Sequence, residues 1–248
     1  MSEKVFLNLE RMLPELEDYQ ERGLFSKSEL QKIIETRKKH ESRLQRVDKK
    51  LLDFVRYINS ETSLEKIRDK RLRKYSLKRT HQDTKISKRV VMLYKNALEK
   101  FNEKDLIVDF TEYAKKKQMV ADMKDVYATC CLKNPLDVDL WIYCASSLFE
   151  MEDIDGARAL FFKGIRMNPT NMEIRKEFFR MEVLYINRVC KEAEGDDDED
   201  EILRGDVPYN IFLDTLDVCR DEDTLLEMYK MSEGNNQLSS RIKVELSK

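Results

Sequence analysis

Glycine and proline are scarce in this chain of 248 residues, which holds 6 and 4 of them. A turn-dense β protein needs many more of both, so their shortage, beside 38% charged residues, points to long solvated helices. The glycines are isolated, which excludes a phosphate-cradling loop, and no Gly-x-Ser-x-Gly or His-Glu-x-x-His string occurs. Histidine occurs only at His40 and His81, both in charged text, and each is read as a solvated side chain. Cys130, Cys131, Cys144, Cys190 and Cys219 are odd in number and show no Cys-x-x-Cys spacing. Neither a zinc site nor a disulfide framework is expected, and a reducing, intracellular compartment is. The adjacent Cys130 and Cys131 read as small apolar positions on a packed helix. No stretch approaches the roughly 18 apolar residues of a membrane span. The start of the sequence lacks the basic-then-apolar layout of a signal peptide. A soluble protein without catalytic residues, cofactor, metal or small-molecule substrate is therefore expected.

What the chain has is a repeat. Tyr94, Tyr127 and Phe161 each precede a small-then-aliphatic pair and lie 33 and 34 residues apart. Asn134-Pro135 and Asn168-Pro169 keep the same interval, as do the apolar runs opening at Leu140 and Ile174. A period near 34 built from helix, turn and helix is that of an α-solenoid, whose helix pairs bury their apolar faces by stacking on neighbours. The small residues Ala97, Cys130 and Gly164 recur at one place in each second helix, where a neighbouring helix approaches closely. Trp141 has a period-matched place that suggests packing between repeats, with an interface anchor as the other reading.

Before the array, Val5, Leu9, Met12, Leu13, Leu16 and Tyr19 mark an amphipathic helix over about residues 2–22, in which Pro14 predicts a kink or a late start. Gly23 supplies a stop. Ser26 and Glu29 form a capping box, with Phe25 and Leu30 spaced as a hydrophobic staple. The next helix runs through Leu30, Ile33, Ile34, Arg37, Glu41, Leu44 and Val47, and another opens with Phe54, Tyr57 and Glu61. After the regular pairs, Thr170 and Glu173 make a second capping box, residues 192–201 hold eight acids and read as an exposed loop, and Phe212, Thr215 and Leu216 repeat the array spacing.

Net charge is only −2, yet residues 1–90 carry +9 and residues 91–248 carry −11. That polarity suits a bridge between a polyanion and a basic partner, or simply solvated helix faces. Residues 66–89 hold 11 basic and 2 acidic side chains. This run reads as an import signal, a phosphate-contacting strip or a solvated linker. Tyr75 is its one aromatic, so contact with RNA would be to phosphate, through Lys70, Arg71, Arg73, Lys74, Lys78 and Arg79. For protein contact the candidates are Val5, Leu9, Leu13, Leu16, Leu24 and Phe25, apolar residues with no evident partner inside a short array.

The Phe54, Tyr57, Glu61 helix, Trp141 and the second-helix signature resemble half-a-tetratricopeptide (HAT) repeats. Leu13-Pro14-Glu15-Leu16-Glu17, Arg22-Gly23-Leu24-Phe25-Ser26, Glu177-Phe178-Phe179-Arg180-Met181-Glu182 and Glu201-Ile202-Leu203-Arg204-Gly205 resemble strings of one HAT family, in that family's order. That family is the U3 small nucleolar RNA-associated protein 6 of the small-subunit processome. The resemblance implies an all-α solenoid, with an N-terminal helical hairpin over 1–47, about four HAT pairs over 48–220 and a C-terminal cap over 221–248. The basic run 66–89 would be an insertion in this array and 191–206 an acidic loop.

It further implies a non-catalytic, nucleolar scaffold in the UtpB complex, beside WD40 propeller subunits, acting with U3 RNA on 18S pre-rRNA and so in 40S biogenesis. A HAT protein of another RNA machine, in messenger-RNA 3′-end processing or the spliceosome, is the alternative. Two departures stand out: Ile107 and Arg175 replace the tryptophan preferred in first helices, and the family's second array has no counterpart after about residue 220.

Overall fold

A computed structural model describes the backbone of residues 3–192, 205–218 and 221–247. The acidic run 192–201, the string 201–205 up to Arg204, and Cys219 lie outside the described residues, apart from the backbone of Glu192. The class is all-α, as expected: among the described residues every regular element is a helix. Two compact units divide the chain, Met1–Ala114 and Lys115–Lys248.

In the first unit, α1 (Glu3–Glu10) and α2 (Leu13–Glu21) are separate helices. Pro14 sits in the first turn of α2, where its missing N–H removes no intrahelical bond, so the chain breaks before it. α2 ends in a Schellman motif: Gly23 is left-handed at φ 66° and Leu24 N donates to the Tyr19 carbonyl at 2.9 Å. α3 (Lys27–Leu44) starts on the expected capping box, with both reciprocal bonds of Ser26 and Glu29 in place and Phe25 and Leu30 buried. It stops at Leu44, so Val47 is fully exposed and off the helix.

α4 (Leu51–Lys74) is continuous through the first part of the basic run. Residues 66–89 therefore form no insertion: they are the last turns of α4, a connection with a short 3-10 turn at His81–Asp83, and the start of α5 (Thr84–Phe101). Nor does a unit boundary fall near residue 47, since the hairpin and the first array helices share one compact unit. α6 (Lys104–Lys117) follows.

The second unit contains α7 (Val120–Lys133), α8 (Val138–Glu150), α9 (Ile154–Met167) and α10 (Met172–Glu192), then α11 (Asp206–Val218), α12 (Glu222–Ser232) and α13 (Asn236–Leu246). The repeat spacing is a packing code here. Cys130, Tyr127, Phe161, Gly164 and Trp141 are all buried, and a Cβ on Gly164 would collide with Ile174 and lie 3.1 Å from Trp141 Cγ. The Trp141 indole donates to the Pro135 carbonyl at 3.1 Å. One period later Arg175 stands in that place and donates from Nη2 to the Pro169 carbonyl at 3.3 Å, so it reproduces the tryptophan's bond.

In place of the second capping box there is a single N-cap bond one residue later. Asn171 Oδ1, rather than Thr170, accepts from Ile174 N at 3.2 Å, because the helix opens at Met172 and so makes Asn171 the N-cap residue. In the 177–182 string Phe178 and Phe179 are buried, and Glu182 takes a bidentate pair from Arg158 at 2.7 Å. Cys130 and Cys131 are buried free thiols, and burial pushes the Cys130 thiol up to about 11, which leaves it protonated and inert.

Candidate functional site

The first unit is held together by charge. Arg37 on α3 and Arg89 on α5 each bind both Glu15 on α2 and Glu61 on α4, at 2.8, 2.8, 2.6 and 2.7 Å. All four residues are buried. Burial opposes the charge on Glu61, but Arg37 and Arg89 hold its carboxyl below the usual carboxylate range. Burial likewise works against Arg37, and Glu61 and Glu15 more than offset it. Beside this box Glu41 accepts from Tyr57 OH at 3.0 Å and from Asn8 at 2.9 Å. His40, expected in solvent, is instead 9% exposed and stacked on Tyr57 with ring centroids 4.9 Å apart. Burial and then Arg43 push its pKa down.

This network fixes where the basic residues go. Arg68, inside the run, is buried and paired to Asp69 at 2.7 Å, and Arg89 belongs to the box. Arg71 is committed to Glu29 at 2.6 Å, donates to the Leu24 carbonyl at 2.7 Å and lies 4.5 Å over the Phe25 ring. That pairing holds the Glu29 carboxyl down at about 2. A Schellman end at Ser76, left-handed at φ 52°, turns the chain off α4. The connection is then pinned to α2: Arg22 donates to the Lys78 carbonyl at 3.1 Å and binds Asp83 at 2.9 Å.

Of the six expected phosphate contacts, Lys70, Arg73, Lys74, Lys78 and Arg79 are exposed, whereas Arg71 is used internally. Arg73 and Lys74 close the last turn of α4, where cations favour the helix dipole. Arg79 also lies 3.5 Å from Asp69 at the surface.

The apolar candidates fare differently. Val5, Leu16, Leu24 and Phe25 are buried within the protein's own unit, covered by the helices that the ion box draws together, so they offer no docking face in this fold. Leu9 is half-buried and Leu13 is 43% exposed. The structure nevertheless joins the two candidate sets, since Leu24, Phe25, Lys70, Arg71, Lys74 and Tyr75 line one hollow at the end of α4. Sequence reasoning missed the box, although Arg37 and Glu41 falling on the apolar stripe of α3 was a usable signal.

Among the described residues no group of three His, Cys, Asp or Glu could hold a metal ion, and no helix is long and apolar enough to cross a membrane. These features define an all-α helical-repeat protein whose N-terminal unit is cemented by buried ion pairs and carries a cationic helix end.

Residues 9–91, which contain all four members of the ion box, match the family model described as U3 small nucleolar RNA-associated protein 6. The chain is 29% identical to "U3 small nucleolar RNA-associated protein 6" of Schizosaccharomyces pombe over 98% of its own length and 51% of that protein. It is 29% identical to the Homo sapiens homolog over 89% of the chain and 39% of the relative. With the Dictyostelium discoideum homolog the identity is 24%, over 75% and 31%. The chain is thus similar to this family along most of its length, as its motifs indicate, and spans about half or less of the relatives it matches.

Proposed function

We propose that this chain serves ribosome biogenesis as a non-catalytic scaffold of the small-subunit processome. Its place would be the nucleolus, in the UtpB complex beside WD40 propeller subunits, and its task the processing of 18S pre-rRNA with the U3 ribonucleoprotein. One observation carries the reading: the chain is similar over 98% of its length to a protein named for association with U3 small nucleolar RNA. The fold supports it, since stacked helix pairs offer extended surfaces.

RNA contact would be to phosphate through Lys70, Arg73, Lys74, Lys78 and Arg79, which are exposed together at and beyond the end of α4. The test is recovery of the tagged full chain from cells. U3 RNA and propeller subunits should co-purify, and depletion should accumulate unprocessed 18S precursor. Recovery of spliceosomal or 3′-end processing components without U3 would overturn the reading. For the RNA arm, reversing Arg73, Lys78 and Arg79 should lower the salt slope of RNA binding by about 2–3. An unchanged slope would remove these residues from the contact.

A further inference from the structure

A groove runs along α4 on the side facing α3. Leu64, Ile67 and Lys70 recur on α4 at helical spacing, and Ile67 lines both the hollow against α3 and the hollow at the end of α4, so the two adjoin at its side chain. From Ser60 to Lys74 the groove extends about 21 Å at 1.5 Å per residue. Its apolar ridge is open to solvent: Ile67 is 46% exposed, and Ile33 and Leu64 are half-buried.

Its charge is one-sided. The two carboxylates that line it are already used, Glu29 by Arg71 and Glu61 by the ion box, while Lys32, Lys70 and Lys74 stand exposed along its edges. A second observation is independent of the surface. Arg37 forms part of the groove floor, and its Nη1 is buried with no hydrogen-bond partner, although the same guanidinium satisfies two carboxylates through Nε and Nη2. An unpaired buried donor leaves a hydrogen-bonding demand beneath the ridge that the ring does not meet.

We infer that this groove docks an acidic amphipathic helix of a partner protein, its aliphatic residues on Ile33, Leu64 and Ile67 and its carboxylates toward Lys32 and Lys70, which leaves Arg73, Lys78 and Arg79 for phosphate. A helix fits because the slot lies between two helices and presents Leu64 and Ile67 about one turn apart on one helix and Ile33 on the other, so a third helix can bury them by ridge-in-groove packing. About 14 residues would fill it. Nucleic acid fits less well, since aliphatic side chains form the ridge and, of the two aromatics at its end, Phe25 is buried beneath Arg71 and Tyr75 alone is exposed. The inference rests on the scaffold reading only in that the occupant is a protein.

The test uses the full chain and a labelled synthetic helix of about 14 residues with Leu at helical spacing and Glu elsewhere, followed by fluorescence anisotropy. Its scramble and a uridylate decamer are the controls. Binding should exceed the scramble by about tenfold, and Ile67→Glu or Lys32→Glu should each cost about tenfold. A partner peptide with Lys in place of Glu should regain binding to Lys32→Glu. Both substitutions are at exposed positions, and unchanged thermal melting checks that the unit stays folded. Equal binding of peptide and scramble, indifference to Ile67→Glu, or loss of uridylate rather than peptide binding in these variants would overturn the inference. Recovery of U3 RNA from cells separates the two proposals: it can persist when the groove assignment fails, and it can fail while the peptide still binds.

Discussion

Arg89 on α5 reaches Glu15 on α2 at 2.6 Å across 74 residues of sequence, and both side chains are buried. Each end of this pair is shared, with Glu61 and Arg37 closing the ring. Removing one member strands a buried charge, which costs far more than the intact ring contributes. Glu61→Gln should therefore lower the stability of the chain by about 3–5 kcal/mol in urea unfolding. Replacing all four with Leu and Met should recover most of that loss. A single variant within about 0.5 kcal/mol of the parent would show that the ring is not closed in solution.

Acid should act on the same unit in two stages. His40 has a folded pKa below its ordinary 6.5, so the penalty for charging it is absent above that pH and grows as pH falls through it. His40→Phe, which keeps a ring against Tyr57, should flatten the melting temperature between about pH 7 and 5. Glu29, at about 2 against an ordinary 4.5, contributes stability that is present above 4.5 and is lost as pH falls toward 2. Glu29→Gln should remove that second slope. A His40→Phe curve parallel to the parent's would contradict the stacked, neutral imidazole.

Arg175 performs the hydrogen bond of Trp141 but leaves its Nε buried without a partner. Arg175→Trp should keep the carbonyl bond and remove the orphan, raising stability by about 1 kcal/mol. Trp141→Ala, by contrast, should cost about 3–5 kcal/mol. Calorimetry of both variants decides it, and a destabilised Arg175→Trp would show that the pocket is shaped for the guanidinium.

Two glycines should fail for different reasons. Gly164→Ala pushes a methyl against Ile174 and the Trp141 ring and should cost about 1–3 kcal/mol by overpacking. Gly23→Ala meets nothing within 4 Å, yet its φ of 66° should cost about 1 kcal/mol. A second-site Ile174→Val should relieve the first variant and leave the second unchanged, and equal response of both would reject the distinction.

The architecture was readable because packing repeats leave periodic traces. Gly164 under Trp141, the stop at Gly23 and the box at Ser26 follow from local rules that single residues satisfy. The ion ring follows no such rule. Nothing in the sequence pairs Glu15, Arg37, Glu61 and Arg89 with one another, and only their convergence from four helices satisfies them in the interior. For the same reason Leu24 and Phe25 looked unpartnered: the partners arrive from α4, 47 residues later in the case of Arg71. The candidate site was half legible, since exposure of Lys70, Arg73 and Lys78 follows from charge, but diversion of Arg71 into Glu29 is a tertiary fact.

Pro135 offers one carbonyl, and two residues use it: the Trp141 indole at 3.1 Å and Asn168 Nδ2 at 2.8 Å. The second donor closes α9, so the turn between α7 and α8 is latched by the repeat that follows it. Such a clasp ties the end of α9 to a turn 33 residues upstream, so a substitution at Asn168 would loosen both places at once.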